Sequence, residues 1–460
     1  MAKSVQLVDV KVTRIHPSSK VSHPQVLHAS YYDLLSIDLL VPTIFFFRLQ
    51  DGGSDYSRML KKVQQSLADI LVPYYPMAGR WKKVDDGRIR ELHCDDEGVP
   101  FVEASIDDVM DSVVDLEDME NLPDLSGFIA VPGLDHTLYN QNLDAPLPSL
   151  IVQVTRFKCG GVAMCVTGNH MTMDGYGFGT FLKAWAEMAS TGTTSIEPSH
   201  DRAPALSHLD LLPSSQRQAI DNAGDKLGAA FKVKKNVTLS PKLFNVKTER
   251  VDEMKRKAQI AVGSELHLST FDCITAQLWQ CVARLPAAPS SSTSSSSSSC
   301  CSSRVTIWYA AEGREKFCQP PLPEHYSGNA ILGVRLGHEP PPSSTLQAAL
   351  AVHENVKSIR PGELPRLLHD LSDLIRFGGP GERKLILSSW LRLPMYELDF
   401  GFGNPFFVSP YALRGGPCVG LIFLLPPAPA SGNVAALYTA LEPSAMQALL
   451  VDSQFVRLIS

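Results

Sequence analysis

The sequence contains no long hydrophobic run, and this absence excludes several classes of protein. No window reaches the ~18 consecutive apolar residues that a membrane-spanning helix requires, so no membrane span is expected. The first residues, MAKSVQLVDVKVTRIHP, alternate apolar and polar side chains and lack the apolar block of a signal peptide. We therefore expect a soluble, cytoplasmic protein.

An excess of positive charge is also lacking. The 42 Lys and Arg against 48 Asp and Glu give a formal net charge of −6, so bulk electrostatics does not favour nucleic acid or an anionic membrane as a partner. The nine cysteines include no CxxC pair, and neither a zinc centre nor a redox pair is predicted. With 460 residues, of which 44% are hydrophobic, the chain is long enough for two domains or one large one.

Three common catalytic motifs are missing as well. The chain has no GxSxG for a serine nucleophile, no HExxH for a zinc hydrolase and no GxxxxGK(S/T) for a phosphate-binding loop. These absences leave histidine chemistry that needs neither a protein nucleophile nor a metal ion.

Hydrophobic periodicity predicts both strands and helices in the first half of the chain. The alternation of Val8, Val10 and Val12 predicts an early strand, and YSRMLKKVQQSLADIL predicts a helix that ends before Pro73. The stretch SLIVQVTRFKCGGVAMCVTGN predicts two buried strands joined by a tight turn at Gly160. A helical face follows, formed by Phe178, Phe181, Leu182, Trp185 and Met188.

The second half repeats this alternation after a polar stretch. Residues 191–225 are rich in Ser, Thr and Pro and predict a long irregular connection. Beyond them, TERVDEMKRKAQI and STFDCITAQLWQCVARL predict helices, whereas RVTIWYAA and CVGLIFLLP predict strands. The mixture indicates α/β or α+β layers in both halves.

The stretch GNHMTMDGYGFG, residues 168–179, contains the first candidate for chemistry. His170 comes at the end of a predicted strand, where a side chain can reach a cleft, and the surrounding glycines allow a backbone or a ligand to approach closely. By itself, a histidine after an apolar strand is more often structural than catalytic. Asp174 precedes a helical pattern and is expected to cap that helix, a role that does not exclude holding the loop. As a reactive group, His170 would be a general base.

The second candidate is SWLRLPMYELDFGFGNP, residues 389–405. Asp399, Gly401, Gly403 and Pro405 predict a turn-rich loop, in which the aspartate braces backbone groups. Composition alone assigns no chemistry to this loop. The third stretch, LVPYYPMAGR, predicts only the end of a helix and a turn.

Together these segments resemble the plant BAHD acyltransferases, which transfer an acyl group from coenzyme A to an alcohol or an amine. His170 and Asp174 match the HxxxD motif of that family, followed by its usual glycine at Gly175. DFGFG at 399–403 matches the DFGWG motif, with Phe402 in place of tryptophan. YPMAGR, VQVTRFKCGG, GREKFCQPPLP and YSGNAILGV resemble further family blocks in the expected order, so the resemblance covers nearly the whole chain.

The resemblance implies an α/β fold similar to chloramphenicol acetyltransferase. Two mixed-sheet domains of similar size would be joined by a crossover loop, with a solvent channel between them. On this chain the N-terminal domain with HxxxD would span 1–190, the crossover loop 191–225, and the C-terminal domain with DFGFG 226–460. The latter would contain a disordered serine-rich insertion at 290–303. The protein is expected to be a monomer.

The resemblance also implies a mechanism and the roles of several residues. His170 would take the proton from the acceptor as the acceptor attacks the thioester of acyl-CoA, with no acyl-enzyme and no permanently bound cofactor. Asp174 would point away from the substrate and pair with Arg314 in AEGREKF, which locks the loop that carries His170. Asp399 would be a similarly structural member of its motif.

Departures from the family pattern concern the substrates. Phe402 has no N–H to donate to an oxyanion, unlike the tryptophan of relatives. Phe45 occupies the position at which hydroxycinnamoyl-CoA shikimate/quinate transferases tend to have a tyrosine at the acceptor site. Arg392 in SWLRLP is either a clamp for an acceptor carboxylate or a structural arginine.

The phosphates of coenzyme A require a local basic patch. KVKK at 232–235 and MKRKA at 254–258 are candidates, with Ser269 and Thr270 nearby; a solvated helix face is the alternative for each lysine.

We therefore predict an acyl-CoA-dependent acyltransferase with a hydroxycinnamoyl or other aromatic donor and a small-molecule alcohol or amine acceptor. One alternative is a family member whose catalysis is dispensable and which acts as a partner or regulator of another enzyme. The other is an acyltransferase that makes volatile or fatty esters from aliphatic donors.

Overall fold

A computed structural model describes most of the chain. The described residues are 5–20, 22–30, 32–33, 40–49, 55–84, 89–115, 124–129, 147–205, 214, 240–284, 304–316, 318, 320–336, 342–360, 382–411 and 420–460. The serine-rich segment 290–303, most of the predicted crossover loop at 191–225 and the basic stretch 232–235 lie outside them.

The chain forms two compact units. The first comprises Met1–Lys232, Glu312–Leu332 and Arg392–Leu413, and the second comprises Val233–Ala311, Gly333–Leu391 and Arg414–Ser460. Two segments from the C-terminal half therefore belong to the first unit. One contains Arg314 and the other contains the DFGFG motif, whereas the domain limits at 190 and 226 stay predictions.

The described residues form both strands and α-helices. The strands are β1 Val8–Ile15, β2 Val26–His28, β3 Leu40–Phe47, β4 Arg80–Val84, β5 Ile89–His93, β6 Val99–Ile106, β7 Leu147–Pro148, β8 Leu150–Phe157, β9 Val162–Asn169, β10 Ser240–Lys247, β11 Arg304–Glu312, β12 Ile331–Leu336, β13 Glu382–Ser389, β14 Phe407–Pro410, β15 Gly420–Leu425 and β16 Asn433–Leu441. The α-helices are α1 Tyr56–Ile70, α2 Gly175–Thr191, α3 Thr248–Val262, α4 Thr270–Ala283, α5 Thr345–Lys357, α6 Pro443–Leu450 and α7 Ser453–Ile459.

The first unit contains a six-stranded sheet of order β1-β6-β8-β9-β3-β14 and a smaller sheet of order β2-β5-β4-β7. In the larger sheet β6 and β8 run parallel, whereas β9 pairs antiparallel with both β8 and β3. All eight residues of β9 are buried, as expected for an interior strand that follows a continuous apolar run. The strand that leads to His170 is thus held on both sides.

The predicted hairpin before His170 is present. The turn between β8 and β9 closes with a hydrogen bond from the Phe157 amide to the Gly161 carbonyl. Gly160 adopts φ +90°, a left-handed conformation that glycine accepts without steric cost. The sequence GG therefore sets the length of both strands and the register that ends β9 at Asn169.

Helices α1 and α2 are amphipathic, as their spacing predicts. The buried residues of α1 include Leu60, Val63, Leu67 and Ile70, and the corresponding face of α2 includes Phe178, Phe181, Leu182 and Trp185. The indole of Trp185 donates a hydrogen bond of 3.1 Å to Ser66 Oγ on α1. Helix α2 ends at Gly192, which has φ +82°, a common left-handed helix terminus.

The second unit contains the other six-stranded sheet, of order β10-β16-β15-β13-β11-β12. Strands β11, β13 and β15 run parallel, and β16 pairs antiparallel with β15 and β10. Helix α4 begins with a capping box formed by Ser269 and Asp272. The fold-class prediction of mixed sheets in two sheet-rich domains is confirmed. In the part of the chain that the structure describes, none of the helices has the length and apolar character needed to cross a bilayer.

Candidate active site

His170 follows β9 directly and begins a tight turn, residues 170–174, called here the His170 turn. The Thr172 amide donates to the Asn169 carbonyl at 2.9 Å, and the Met171 amide donates to Asn169 Oδ1 at 3.0 Å. His170 is only partly buried as a residue, whereas Met171, Thr172, Met173 and Asp174 are buried. The turn therefore presents one accessible side chain on a buried support.

Asp174 caps the helix that follows and also forms a buried ion pair. Its Oδ1 accepts from the Gly177 amide at 2.9 Å, the N-cap interaction predicted for this residue. The predicted pair with Arg314 is present and bidentate, with Nη1 to Oδ2 at 2.9 Å and Nη2 to Oδ1 at 3.0 Å. The Ala330 amide donates to Oδ2 at 2.8 Å. Both carboxylate oxygens are therefore occupied by the protein.

Arg314 is buried and makes further hydrogen bonds that offset its desolvation. Its guanidinium donates to the Tyr326 and Gly328 carbonyls and lies 4.8 Å from the centre of the Tyr176 ring. Burial acts to lower the pKa of Arg314, but Asp174 and Glu312 raise it above its ordinary value. The guanidinium thus stays charged.

A second buried ion pair, which the sequence did not predict, also supports the His170 turn. Arg202 Nε donates to Asp33 Oδ2 at 2.9 Å, with side chains that are only 3% and 0% exposed. Arg202 also donates from Nη2 to the Thr172 carbonyl at 2.9 Å. Burial acts to lower the pKa of Arg202, but Asp33 beside it raises it. We call Asp33–Arg202 the upstream pair and Asp174–Arg314 the downstream pair.

Asn329 connects the upstream pair to the His170 turn. Its Nδ2 lies 2.8 Å from Asp33 Oδ1, 2.9 Å from the His170 carbonyl and 3.1 Å from the Met171 carbonyl. The residue lies in YSGNAILGV, a block that resembles the family but to which the sequence alone assigned no role. The buried Asn329 amide is thus hydrogen-bonded to two carbonyls of the turn and to the Asp33 carboxylate.

The segment before Arg202 is anchored to the same unit. His200 is buried, with Nε2 2.7 Å from the Pro73 carbonyl and Nδ1 against Ser327 Oγ. Burial lowers the pKa of His200 to about 4, so a neutral ring donates through Nε2 and accepts through Nδ1. The described part of the predicted connection therefore contains two buried residues, His200 and Arg202, that hold it to the first unit.

The imidazole of His170 is in an environment that favours its neutral form. Burial lowers the pKa of His170 below its ordinary value, although Asp174, the Asn329 side chain and Asp33 act in the opposite direction. A histidine that is neutral at physiological pH can accept a proton from a substrate. This electrostatic state suits a general base.

Glycines around the His170 turn permit close approaches, as predicted. A Cβ on Gly179 would lie 3.0 Å from Leu393 Cδ2, and one on Gly177 would lie 3.2 Å from the Ser327 carbonyl. A Cβ on Gly168 would meet the Phe178 ring at 2.9 Å. The small residues thus allow the start of α2 to pack tightly against neighbouring segments of its unit.

The DFGFG loop is braced by its aspartate. Asp399 Oδ1 accepts from the Gly401 amide at 2.7 Å and from the Gly403 amide at 2.9 Å. The two glycines have φ +99° and +78°, conformations in which other residues are strained. The ring of Phe402 is 4% exposed and lies 5.5 Å from that of Phe47. The geometry matches the bracing role predicted for Asp399.

The remaining predicted site residues lie in other segments of the two units. Phe45 is 0% exposed and packs against Phe400 at 6.4 Å, so direct contact with an acceptor would require its neighbours to move. Arg392 is exposed in a turn of the first unit. Ser269 and Thr270 begin α4 in the second unit, where Lys255 Nζ lies 3.4 Å from Thr270 Oγ1. Their roles in substrate binding stay predictions.

Among the described residues, no group of three or more His, Cys, Asp or Glu side chains is placed to hold a metal ion. The features that converge on the His170 turn are a neutral histidine, two buried ion pairs and a hydrogen-bonding amide.

Two solved structures share this fold. Vinorine synthase superposes with a TM-score of 0.73 at 20% identity, covering 99% of both chains. The F. sporotrichioides protein TRI101, solved with coenzyme A and T-2, gives a TM-score of 0.65 at 17% identity, covering 94% of this chain and 98% of that one. At these identities the likeness concerns the fold alone.

Sequence comparison then identifies the family. The model of the Transferase family matches residues 6–455, and Hydroxycinnamoyltransferase 1 of Oryza sativa subsp. japonica is 31% identical over 423 residues, which cover 87% of this chain and 90% of the relative. The chain belongs to the Transferase family, that of the BAHD acyltransferases, and is an acyl-CoA-dependent acyltransferase.

The downstream pair predicts a large loss of stability when Arg314 is replaced. We expect Arg314→Met to lower the free energy of unfolding by about 3–5 kcal/mol, because it leaves the buried Asp174 carboxylate without its counter-ion. Arg58→Met is the matched control, since Arg58 forms a 3.0 Å pair with Asp55 at an exposed site, where such pairs contribute little. Urea unfolding followed by circular dichroism measures both, and equal effects would contradict the assignment.

The bracing role of Asp399 predicts that two substitutions at this position differ in their effect on stability and activity. Asp399→Ala removes the acceptor of two backbone amides and is expected to destabilise the protein by about 1–3 kcal/mol. Asp399→Asn keeps an oxygen in place and should retain most of the stability and activity. Thermal unfolding and turnover measure the two variants. If Asn were as damaging to turnover as Ala while the fold remained stable, the negative charge itself would be required.

Proposed function

We propose that this protein transfers a hydroxycinnamoyl or related aromatic acyl group from acyl-CoA to a hydroxyl or amine, with His170 as the general base. The observation that carries the proposal is the position of His170. It is a partly exposed histidine of lowered pKa at the end of a buried strand, on a turn held by two ion pairs. The aromatic donor is supported by the name of the rice relative.

The reaction needs one proton acceptor and two bound substrates. His170 removes the proton from the acceptor as the acceptor oxygen or nitrogen forms a bond to the thioester carbonyl carbon. The tetrahedral intermediate then collapses, the carbon–sulfur bond breaks, and the imidazolium returns the proton to the thiolate of coenzyme A. No acyl-enzyme is formed, because the two substrates react with each other directly.

Coenzyme A is a co-substrate in this scheme and not a permanently bound cofactor. The start of α4 supports an anion site, because Ser269 and Thr270 stand at a helix N-terminus beside Lys255. Lys257 in the same basic stretch is paired with Glu253 at 2.7 Å and fits the alternative of a solvated helix face. Acyl-CoA and a small-molecule acceptor are thus the proposed partners of a monomeric, cytoplasmic enzyme.

If His170 is the base, its removal should lower turnover while the protein stays folded. We expect His170→Ala to lower kcat by about 10²–10⁴-fold, the usual contribution of a positioned general base. The assay measures thiol release from a panel of acyl-CoAs with alcohol and amine acceptors. His28→Ala is the control, because His28 is an exposed histidine on β2 and should leave turnover unchanged.

The outcomes separate the competing functions. An active wild type beside an equally active His170→Ala variant would contradict the general-base role, and absence of turnover with every donor would favour a partner or regulator. A preference for aliphatic donors would favour the other alternative, an acyltransferase that makes volatile or fatty esters. Stoichiometric thiol release without acceptor would indicate an acyl-enzyme and contradict the direct transfer.

The phenylalanine in DFGFG predicts the result of a Phe402→Trp substitution. The Phe402 ring is buried against Phe47, so the larger indole should destabilise the protein by about 1–3 kcal/mol and leave kcat within a few-fold of wild type. Phe400→Trp is the control for packing, because Phe400 is also buried. A gain in kcat on the order of 10²-fold for Phe402→Trp alone would reveal a missing oxyanion donor.

A further inference from the structure

Residues 199–202, called here the strap, are tied to a segment of the first unit that is distant in sequence. The Ser199 amide donates to the His325 carbonyl at 3.0 Å, and the Ser327 amide donates to the Ser199 carbonyl at 2.8 Å. The backbone therefore fixes the strap at its first residue, and the buried side chains that follow hold the remainder.

The imidazole of His200 makes the central contacts of the strap. Its Nε2 lies 2.7 Å from the Pro73 carbonyl, which can only accept, and its Nδ1 lies against the neutral hydroxyl of Ser327. The ring packs edge-on against those of Tyr74 and Tyr75, with centroids 5.8 and 4.8 Å away. In the part of the chain that the structure describes, neither ring nitrogen contacts a carboxylate that could balance a positive charge.

The surroundings of the His200 ring disfavour an imidazolium. Burial lowers the pKa of His200 from its ordinary value of 6.5 to about 4; the Pro73 carbonyl acts to raise it, whereas the charges of Arg202 and His23 lower it further. Arg202 also donates from Nη1 to the His200 carbonyl, and His23 stacks on Tyr75 at 4.3 Å. Burial raises the pKa values of both neighbouring tyrosines, so their phenols carry no charge.

We propose that the strap is a pH-sensitive element that is released from the first unit when His200 becomes protonated. A neutral ring satisfies both of its contacts, because Nε2–H donates to the Pro73 carbonyl and Nδ1 accepts from the Ser327 hydroxyl. A second proton places an uncompensated charge in a buried site beside Arg202. An open strap returns that charge to water. This inference does not depend on the proposed function.

Arg202 makes release of the strap unfavourable at neutral pH. Its Nε donates to Asp33 Oδ2 and its Nη2 to the Thr172 carbonyl, both at 2.9 Å. Opening separates this buried ion pair, which is strongly unfavourable, so the strap stays closed while His200 is neutral. The strap thus couples a proton on His200 to the Asp33 carboxylate and to the His170 turn.

The direction of the pH dependence follows from the lowered pKa of His200. Between pH 6.5 and about pH 4, the open strap takes up a proton that the closed strap does not. The closed strap is therefore most favoured above pH 6.5 and becomes progressively less favoured as the pH falls toward 4. The ratio of open to closed strap should rise on the order of 30-fold between about pH 7.5 and about pH 5.

Hydrogen exchange followed by mass spectrometry measures this ratio, once each rate is corrected for the intrinsic exchange rate at that pH. Peptides that contain the Ser199 and Ser327 amides should lose protection by the predicted factor at the lower pH. Peptides from β9 should keep theirs and provide the internal reference for the stability of the unit. Equal protection of the strap at both pH values in the wild type would overturn the proposal.

The variant His200→Gln removes the titrating group and keeps an amide that can donate to the Pro73 carbonyl. Its strap should show no acid-dependent gain in exchange beyond that of β9, even if its exchange at neutral pH exceeds that of the wild type. An equal acid response in the wild type and in His200→Gln would contradict the proposal, because the proton would then act elsewhere, such as on the Asp33 carboxylate.

His23→Gln is the matched control, because His23 belongs to the same aromatic stack but lies outside the strap. This variant should keep the acid response of the wild type. If His23→Gln lost the response while His200→Gln kept it, His23 would be the group that takes up the proton, and the role of His200 would be wrong.

Discussion

The buried ion pair between Asp174 and Arg314 is the interaction on which the geometry of the His170 turn depends. Removing two charges from water is costly, and their mutual attraction compensates only when further hydrogen bonds satisfy both partners. Here the Gly177 and Ala330 amides donate further hydrogen bonds to the carboxylate, and the Tyr326 and Gly328 carbonyls accept hydrogen bonds from the guanidinium. Few other conformations of the turn could satisfy so many hydrogen bonds. The ion pair therefore acts mainly by fixing one conformation of the turn.

The upstream pair is built in the same way and also contacts the His170 turn. Asp33 and Arg202 are both buried, and through Asn329 they hold the carbonyls of His170 and Met171. Asp174 and Asp33 each act to raise the pKa of the His170 ring, but burial outweighs them. Burial therefore remains the dominant influence on its pKa. The charged pairs hold the backbone of the turn in place, while burial favours the neutral form of the His170 ring.

Local sequence patterns predicted the structural features that depend on residues close together in the sequence. The strand before His170, the cap at Asp174 and the braced loop at Asp399 all follow from periodicity, capping preference and positive-φ glycines within a few residues. The pair with Arg314 was implied by the family resemblance and not by the pattern. Asp33, Arg202 and Asn329 were missed because each partner is distant in sequence. Arg202 in particular stands in a polar stretch whose composition indicates only a connection.

Asp174 shows why a structural and a functional interpretation of one residue need not compete. Its N-cap contact with the Gly177 amide uses a single lone pair of Oδ1, and a carboxylate has further acceptor sites to offer. The remaining sites receive Arg314 and the Ala330 amide, which tie the start of α2 to segments more than a hundred residues away. An asparagine could cap the helix almost equally well, but it could not accept a bidentate guanidinium with both oxygens. The requirement for aspartate at this position therefore comes from the ion pair, and the spacing of HxxxD comes from the turn that the ion pair holds.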